Sequence, residues 1–303
     1  MIKSKNWEIN INIHKIRLLK ENRTMNIVIV GLGVIGGSFA MALKEAGYRN
    51  VFGIDTNENT LDKAKLMGLI KDGSVKGELF LKQADLIIVS IYPKLVYKFI
   101  EQNKDHFKSG CVITDTTGIK EVFVKDILAI LPDEVDFVFG HPMAGREKRG
   151  IDFASNQVFK GANYIITPTA QNKESNLELV EKLAYEIGFK KVKSVMPDFH
   201  DEMIGFTSQL PHAIAVSLIN SDVEGRDTGS FIGDSYRELT RIANINEDLW
   251  SELFLGNRDN LLKAINDFEL ELDLIKKAIH DNDKETLKQY FIKSTKRREK
   301  LDK

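Results

Sequence analysis

The sequence predicts an α/β fold in which a Rossmann-type, doubly wound parallel sheet is followed by an all-helical domain. Short apolar runs alternate with amphipathic helical stretches up to about residue 195, which is the pattern of a mostly parallel sheet with helices on both faces. After that point no β-rich run follows, and only helical patterns remain. We therefore predict domains at 25–195 and 196–303.

The elements of the first domain can be followed along the chain. NIVIV leads through a glycine loop into the helix SFAMALKEAG, which Gly47 is placed to cap. ADLIIVSIY is a continuous apolar run of the kind found in buried parallel strands. The other predicted strands are VFGID, CVITD, VDFVFG, NYIITP and KKVKSV, and the helices between strands are NTLDKAKLMG, KLVYKFIEQNKDHF, GIKEVFVKDILAIL and SNLELVEKLAYEIG.

Several helices of the second domain carry wide apolar stripes, for example EDLWSELFLGNRDNLLKAINDFELELDLIKKAIHDN. A small helical domain has difficulty burying such stripes by itself. Two alternatives follow, burial in the domain's own core and burial against a second copy of the chain.

Composition excludes several classes of protein. The 303 residues carry 43 basic and 44 acidic side chains, a net charge of −1, which argues against general affinity for nucleic acid or membrane surfaces. No stretch approaches the ~18 apolar residues of a spanning helix. Cys111 is the single cysteine, so an internal disulfide is excluded and a reducing cytoplasm is expected. Residues 1–24 lack a secretory signal and are interpreted as an upstream start or a loose arm.

GLGVIG at 31–36 follows a strand and opens a helix, the context in which G-x-G-x-x-G binds a dinucleotide. Its glycines permit a tight turn, close approach to the pyrophosphate and close helix packing, while the helix N-terminus attracts negative charge. Asp55 ends the second strand, where a carboxylate binds ribose hydroxyls and repels a 2′-phosphate. We therefore predict NAD rather than NADP. The predicted cofactor-binding residues are Gly31, Leu32, Gly33, Val34, Ile35, Gly36, Asp55, Ser90 and Thr116.

Four further motifs, in order, are GHPMAGRE (140–147), TSQLPH (207–212), LTRIA (239–243) and Trp250. Together with the glycine loop they resemble the prephenate and arogenate dehydrogenases of tyrosine biosynthesis, from Met25 to the C-terminal helices. The resemblance implies NAD-dependent oxidation of prephenate to 4-hydroxyphenylpyruvate with loss of carbon dioxide. The alternative substrate is arogenate, which would give tyrosine. It also implies a homodimer formed through the all-helical C-terminal dimerisation domain.

By this resemblance His141 accepts the proton of the substrate's C4 hydroxyl, and Pro142 restricts the backbone that presents the imidazole. Ser208 and His212 are four residues apart on one helix face, and Pro211 predicts a kink there. Arg241 is expected to bind a substrate carboxylate. Glu147 is expected near the pocket mouth. Trp250 is expected either beside the substrate site, whether or not it reaches there across a dimer interface, or simply in the core. Arg146 faces either substrate or water.

One position departs from the family pattern. Residues 115–120 read DTTGIK, with Gly118 where the family often has a serine whose hydroxyl bonds the substrate and the histidine. Thr116 or Thr117 could supply that hydroxyl instead, and Thr117 is counted with His141 and Ser208 among the predicted catalytic residues. No metal site is predicted.

Two other functions are weighed against this one. A related β-hydroxyacid or imine reductase would share the two-domain plan, but such enzymes usually depend on a lysine in the helical domain. TSQLPH and LTRIA contain none. A non-catalytic NAD-binding regulator is the other alternative, and His141, Arg241 and Ser208 argue against it.

Overall fold

The computed structural model describes residues 23–145 and 148–301, so the predicted arm at 1–24 lies almost wholly outside it. Eight strands of these residues form one sheet in the order β3-β2-β1-β4-β5-β6-β7-β8. Their bounds are Ile27–Val30 (β1), Val51–Ile54 (β2), Asp72–Ser74 (β3), Leu86–Val89 (β4), Val112–Asp115 (β5), Asp136–Pro142 (β6), Asn163–Thr167 (β7) and Lys191–Ser194 (β8). Only the β6–β7 pair is antiparallel. The predicted doubly wound, mostly parallel sheet is confirmed.

Six helices accompany the sheet: Val34–Glu45 (α1), Glu58–Leu66 (α2), Glu78–Leu81 (α3), Pro93–Asn103 (α4), Glu121–Ile130 (α5) and Glu174–Glu186 (α6). The remainder of the described chain is helical, which confirms the second predicted architecture. Its helices are Pro197–Ile204 (α7), Leu210–Asn220 (α8), Asp234–Thr240 (α9), Glu247–Gly256 (α10), Arg258–His280 (α11) and Lys284–Leu301 (α12). The last strand, β8, ends at Ser194, and the first helix of this remainder, α7, begins at Pro197.

Alternate residues of the central strand β1 face opposite sides of the sheet. Ile27 and Ile29 pack into a core that includes residues of α1 and α6. Val28 and Val30 pack into a second core that includes residues of α4 and α5. Leu253 of α10 belongs to this second core, so the helical domain is anchored on that face of the sheet.

The glycine loop ends in a tightly packed helix. Gly31 has φ of +84°, a conformation that favours glycine. A Cβ at Gly36 would overlap the carbonyl oxygen of Gly31, so this helix can approach the loop only with glycine there. At the other end of α1, Gly47 has φ of +94°, and Tyr48 N–H donates to the Leu43 carbonyl, which confirms Gly47 as the helix cap.

A π-helical turn, Gly205–Gln209, connects α7 to α8, and Pro211 lies in the first turn of α8. The irregularity that Pro211 predicts therefore takes the form of a π-turn, a feature frequently found at functional sites.

The apolar stripes of the helical domain are only partly buried within one copy of the chain. A small core forms around Leu210, Leu261 and Ala264. Large apolar side chains of the last three helices remain exposed, among them Leu255, Leu262, Leu270, Leu272, Leu274, Ile279, Phe291 and Ile292. No helix in the described part of the chain is long and apolar enough to cross a membrane.

Substituting Gly36 by alanine should destabilise the fold, because the added methyl group meets the Gly31 backbone. Overpacking of this kind costs ~1–3 kcal/mol. Gly33→Ala is the matched control, since its Cβ would meet nothing within 4 Å and its φ of −69° suits any residue. Urea unfolding should show a lowered midpoint for Gly36→Ala only. Equal midpoints for the two variants would contradict this account of the loop.

Candidate active site

A cleft of about 590 Å³ lies at the carboxyl ends of the central strands and is closed on its other side by the helical domain. The predicted site residues that line it are Gly33, Val34, Ile35, Ser90, Thr116, Thr117, His141, Ser208, His212, Arg241 and Trp250. Four further predicted cofactor residues, Gly31, Leu32, Gly36 and Asp55, are not part of its wall. Glu147 lies outside the described residues, as does Arg146.

Asp55 holds the glycine loop in place. Its Oδ2 accepts the N–H of Leu32 at 2.8 Å, and its Oδ1 accepts the N–H of Asn57 at 2.9 Å. Within residues 23–145 and 148–301, no side chain caps the N-terminus of α1, and the space beside Gly33 is open. A helix N-terminus with open space before it suits a pyrophosphate. These residues therefore fit a dinucleotide.

A fully buried ion pair lies beneath the cleft. Lys120 Nζ contacts Asp115 Oδ2 at 2.6 Å and donates to the Gly140 carbonyl at 2.7 Å, while Gly140 N–H donates to Asp115 Oδ1 at 3.0 Å. Both backbone groups of Gly140 are thus held, one residue before His141. Burial lowers the pKa of Lys120, and the charge of Asp115 opposes that shift. Sequence reasoning missed this pair, although the aspartate and lysine of DTTGIK were visible.

The two threonine hydroxyls of DTTGIK have partners of their own. Thr117 Oγ1 donates a hydrogen bond to Asp115 Oδ2 and accepts one from Lys120 Nζ at 3.0 Å. Thr116 Oγ1 donates to Ser90 Oγ at 3.2 Å. The hydroxyl of Thr117 therefore binds the buried ion pair, and the hydroxyl of Thr116 binds Ser90. These are their partners, rather than His141.

His141 belongs to a chain of three side chains. Its Nδ1 lies 2.9 Å from His200 Nε2, and His200 Nδ1 lies 2.6 Å from Asp201 Oδ1. Burial lowers the pKa of His141 well below 6.5, and the nearby His200 and Lys120 lower it further. Burial also lowers the pKa of His200, against the opposing hydrogen bond to Asp201. Sequence reasoning missed His200 and Asp201, which adjoin each other in a helix just after the domain boundary.

The helical wall of the cleft carries an ordered imidazole–indole pair. His212 Nδ1 lies 2.8 Å from the Ser208 carbonyl, and the His212 ring stacks on Trp250 with centroids 3.6 Å apart. Because a carbonyl only accepts, His212 Nδ1 is the donor. Trp250 also packs against the core on the α4 and α5 side of the sheet. Within this single chain, Trp250 thus belongs to both the core and the cleft.

Three cationic side chains among the described residues line the cleft. Arg241 lies in a short 3₁₀-helix after α9 and lines the cleft together with Lys148 and Arg149. Arg149 reaches across to α10, where its Nη2 lies 2.6 Å from Glu247 Oε2. Sequence reasoning missed Lys148 and Arg149, because the run GREKRG does not indicate which of its cations faces the cleft.

Known proteins share both halves of this arrangement. The family model "Prephenate dehydrogenase, nucleotide-binding domain" matches residues 39–193, and "Prephenate dehydrogenase, dimerization domain" matches residues 196–293. The chain belongs to the prephenate dehydrogenase family. The predictions of the family and of an oxidoreductase with a nucleotide-binding domain are thereby confirmed, and the helical domain corresponds to the family's dimerisation domain.

Individual members agree with this result. A prephenate dehydrogenase of Bacillus subtilis is 29% identical over 272 residues, covering 88% of this chain and 73% of that protein. The structure of a prephenate dehydrogenase from A. aeolicus in complex with hydroxyphenyl propionate and NAD+ superimposes with a TM-score of 0.83 at 30% identity, covering 92% and 98% of the two chains. A Synechocystis arogenate dehydrogenase superimposes with a TM-score of 0.77 at 25% identity, covering 91% and 100%. The NAD predicted from Asp55 agrees with the cofactor in the A. aeolicus structure.

Proposed function

We propose that this chain catalyses the NAD-dependent oxidative decarboxylation of prephenate to 4-hydroxyphenylpyruvate, a step of tyrosine biosynthesis. The observation that carries the proposal is the position of His141, which lines one cleft with the glycine loop and with Arg241. The relatives named prephenate dehydrogenase support this substrate. Arogenate is the second candidate, which the Synechocystis arogenate dehydrogenase supports.

In the proposed reaction, bound NAD supplies the acceptor for a hydride from C4 of the substrate ring. His141 accepts the proton of the C4 hydroxyl as the hydride leaves and the ring carboxylate departs as carbon dioxide, and a proton then returns to the phenolate oxygen to give the phenol of the product. Formation of the aromatic ring favours the products, so the protein mainly positions the reactants and receives the proton. We assign Ser208, His212 and Trp250 to the substrate side of the cleft, and we count Glu147 among the substrate-binding residues.

Thr117 takes a different role in this proposal. Its hydroxyl binds the buried pair of Asp115 and Lys120, so it supports the end of β6 and the presentation of His141.

We further propose that the chain forms a homodimer through its helical domain. The exposed apolar side chains of α11 and α12 support this, because a second copy would remove them from water. The match to the family's dimerization domain points the same way. Cytoplasmic location remains a prediction.

The proposal is tested with purified protein and NAD, to which prephenate and arogenate are added separately while the absorbance of reduced nicotinamide is followed. Faster turnover of prephenate would support the assignment. A higher kcat/KM for arogenate would replace prephenate by arogenate as the substrate. Absence of turnover with both would overturn the proposed function.

Asp55→Asn should relax the preference for NAD over NADP. An asparagine oxygen can still accept the Leu32 N–H, but the charge that repels a 2′-phosphate is lost. We expect the ratio of kcat/KM for NADP to that for NAD to rise at least ~10-fold, which corresponds to ~1.4 kcal/mol. Asp62→Asn removes an equal charge from an exposed position on α2 and should leave the ratio unchanged. A wild-type enzyme that uses NADP equally well would refute this role.

The pH dependence of kcat/KM should reflect the lowered pKa of His141. The neutral imidazole is the active base, so the rate should hold from pH 8 to about 6.5, the ordinary histidine value, and fall only as pH drops well below it. His141→Asn should reduce kcat ~10²–10⁴-fold and remove this acidic limb. NAD affinity, measured by titration, should remain. A kcat/KM that falls on acidification with a midpoint above pH 6.5 would argue against His141 as the base.

Arg241→Gln should weaken binding of the acid substrate specifically. A hydrogen bond to a charged group contributes ~1.5–3 kcal/mol, so we expect KM for the substrate to rise at least ~10-fold. Lysine should restore part of the loss, because it keeps the charge without the two-pronged geometry. Arg237→Gln, in the preceding helix and paired with Asp234, is the control. An unchanged substrate KM in Arg241→Gln would contradict this role and would indicate that Lys148 or Arg149 binds the carboxylate.

A further inference from the structure

We propose that His200, held by Asp201, is a positioning residue that fixes the tautomer of His141 with its unprotonated Nε2 toward the cleft. The proposal rests on the proposed function of His141 as the proton acceptor, and it assigns a task to two residues that this function does not otherwise use.

The first step is the state of Asp201. Its carboxylate accepts the backbone N–H groups of Lys120 and Glu121, with distances of 2.9 Å to Oδ1 and 2.9 Å to Oδ2 respectively. Both oxygens therefore already face donors. An ionised carboxylate only accepts hydrogen bonds, so the proton in the 2.6 Å contact with His200 Nδ1 belongs to the histidine.

The tautomer of His200 determines the tautomer of His141. A neutral imidazole carries one proton, so His200 with Nδ1–H presents a lone pair at Nε2. His200 Nε2 lies 2.9 Å from His141 Nδ1, and this hydrogen bond needs one donor. The donor is therefore His141 Nδ1–H. His141 Nε2 then carries the lone pair that a base requires.

The third step concerns the other side of the His141 ring. Nε2 faces Gly118, where an added Cβ would lie 3.7 Å away, and both residues line the cleft. Glycine brings no hydroxyl to this nitrogen. Among the residues that the structure describes, the hydrogen bond that orients the His141 ring is the one at Nδ1, to His200.

The electrostatic surroundings keep both rings neutral before reaction. The charged groups that face them are Asp201 of α7, Asp115 of β5 and Lys120 at the start of α5. Burial lowers the pKa of both histidines, so each carries a single proton at neutral pH. When His141 accepts a second proton at Nε2, its positive charge is linked through His200 to the carboxylate of Asp201.

The chain of hydrogen bonds also crosses between domains. His200 and Asp201 lie on α7 of the helical domain, whereas His141 ends β6 of the nucleotide-binding domain. The base is consequently oriented only when the two domains are docked as in this structure.

The test compares His200→Leu, which removes the acceptor for His141 Nδ1–H, with His200→Gln, whose side-chain oxygen can still accept it. His280 provides matched controls, because its Nδ1 also lies 2.8 Å from the adjacent Asp281 while the residue is exposed at the end of α11. Each variant is measured for kcat, both KM values and NAD affinity. Nitrogen-15 spectra of histidine-labelled free protein report which ring nitrogen of His141 carries the proton, independently of turnover.

We expect free wild-type protein to carry the His141 proton on Nδ1. His200→Leu should lose this tautomer and lower kcat ~10²-fold or more, toward the ~10⁴ known for a catalytic histidine in the wrong tautomer. Substrate KM and NAD affinity should change little. His200→Gln should keep the tautomer and stay within about tenfold of wild type, a loss below the ~10²–10⁴ of a lost base. Both His280 variants should match wild type.

Two outcomes would overturn the proposal. One is a wild-type nitrogen-15 spectrum that places the His141 proton on Nε2. This measurement needs only wild-type protein, so it can be made even if His200→Leu fails to fold. Another is His200→Gln that keeps the Nδ1–H tautomer but is as slow as His200→Leu. Wild-type protein that is inactive on prephenate and arogenate but has His141 Nδ1–H would instead disprove only the proposed function.

Discussion

The buried ion pair of Lys120 and Asp115 is the constraint on which the arrangement of the cleft depends. Placing two charges out of water costs several kcal/mol per ion unless further hydrogen bonds compensate. Here the compensation comes from Thr117 and from both backbone groups of Gly140. Because those bonds fix the backbone at Gly140, they also fix the start of the side chain that follows, His141.

A second charge, Asp201, connects this arrangement to the helical domain. It accepts the N–H groups of Lys120, the residue before α5, and of Glu121, the first residue of α5, which a helix leaves without an intrahelical partner. The same carboxylate binds His200, so the link between domains and the orientation of the base share one group. The packing of Leu253 against the sheet closes the cleft beside this link. A change at Asp201 would therefore affect both the stability of the domain contact and the geometry of the site.

Much of the fold follows from the sequence because its determinants are local. The predicted strands and helices and the glycine loop are encoded in periodicity and in GLGVIG, and the structure reproduces them, whereas the four-residue helix α3 was not predicted. The short strand β3 was not predicted, since its residues DGS carry no apolar pattern and pair only because β2 lies beside them. The partners of His141 were missed for a related reason. His200 lies 59 positions after His141, and Lys120 acts on His141 through the Gly140 backbone. Only the tertiary structure brings these groups together.

Gly118 joins the local and the tertiary determinants. A Cβ there would lie 3.3 Å from Leu253 Cδ2, tighter than ordinary contact, so glycine allows α10 to approach the loop beside His141 closely. The same substitution removes the hydroxyl that the family often presents to the histidine. The two effects act in opposite directions on the site, because closer packing excludes water while one hydrogen bond to the imidazole is lost. A ring held from its Nδ1 side by His200 resolves this conflict, since it leaves Nε2 for the substrate.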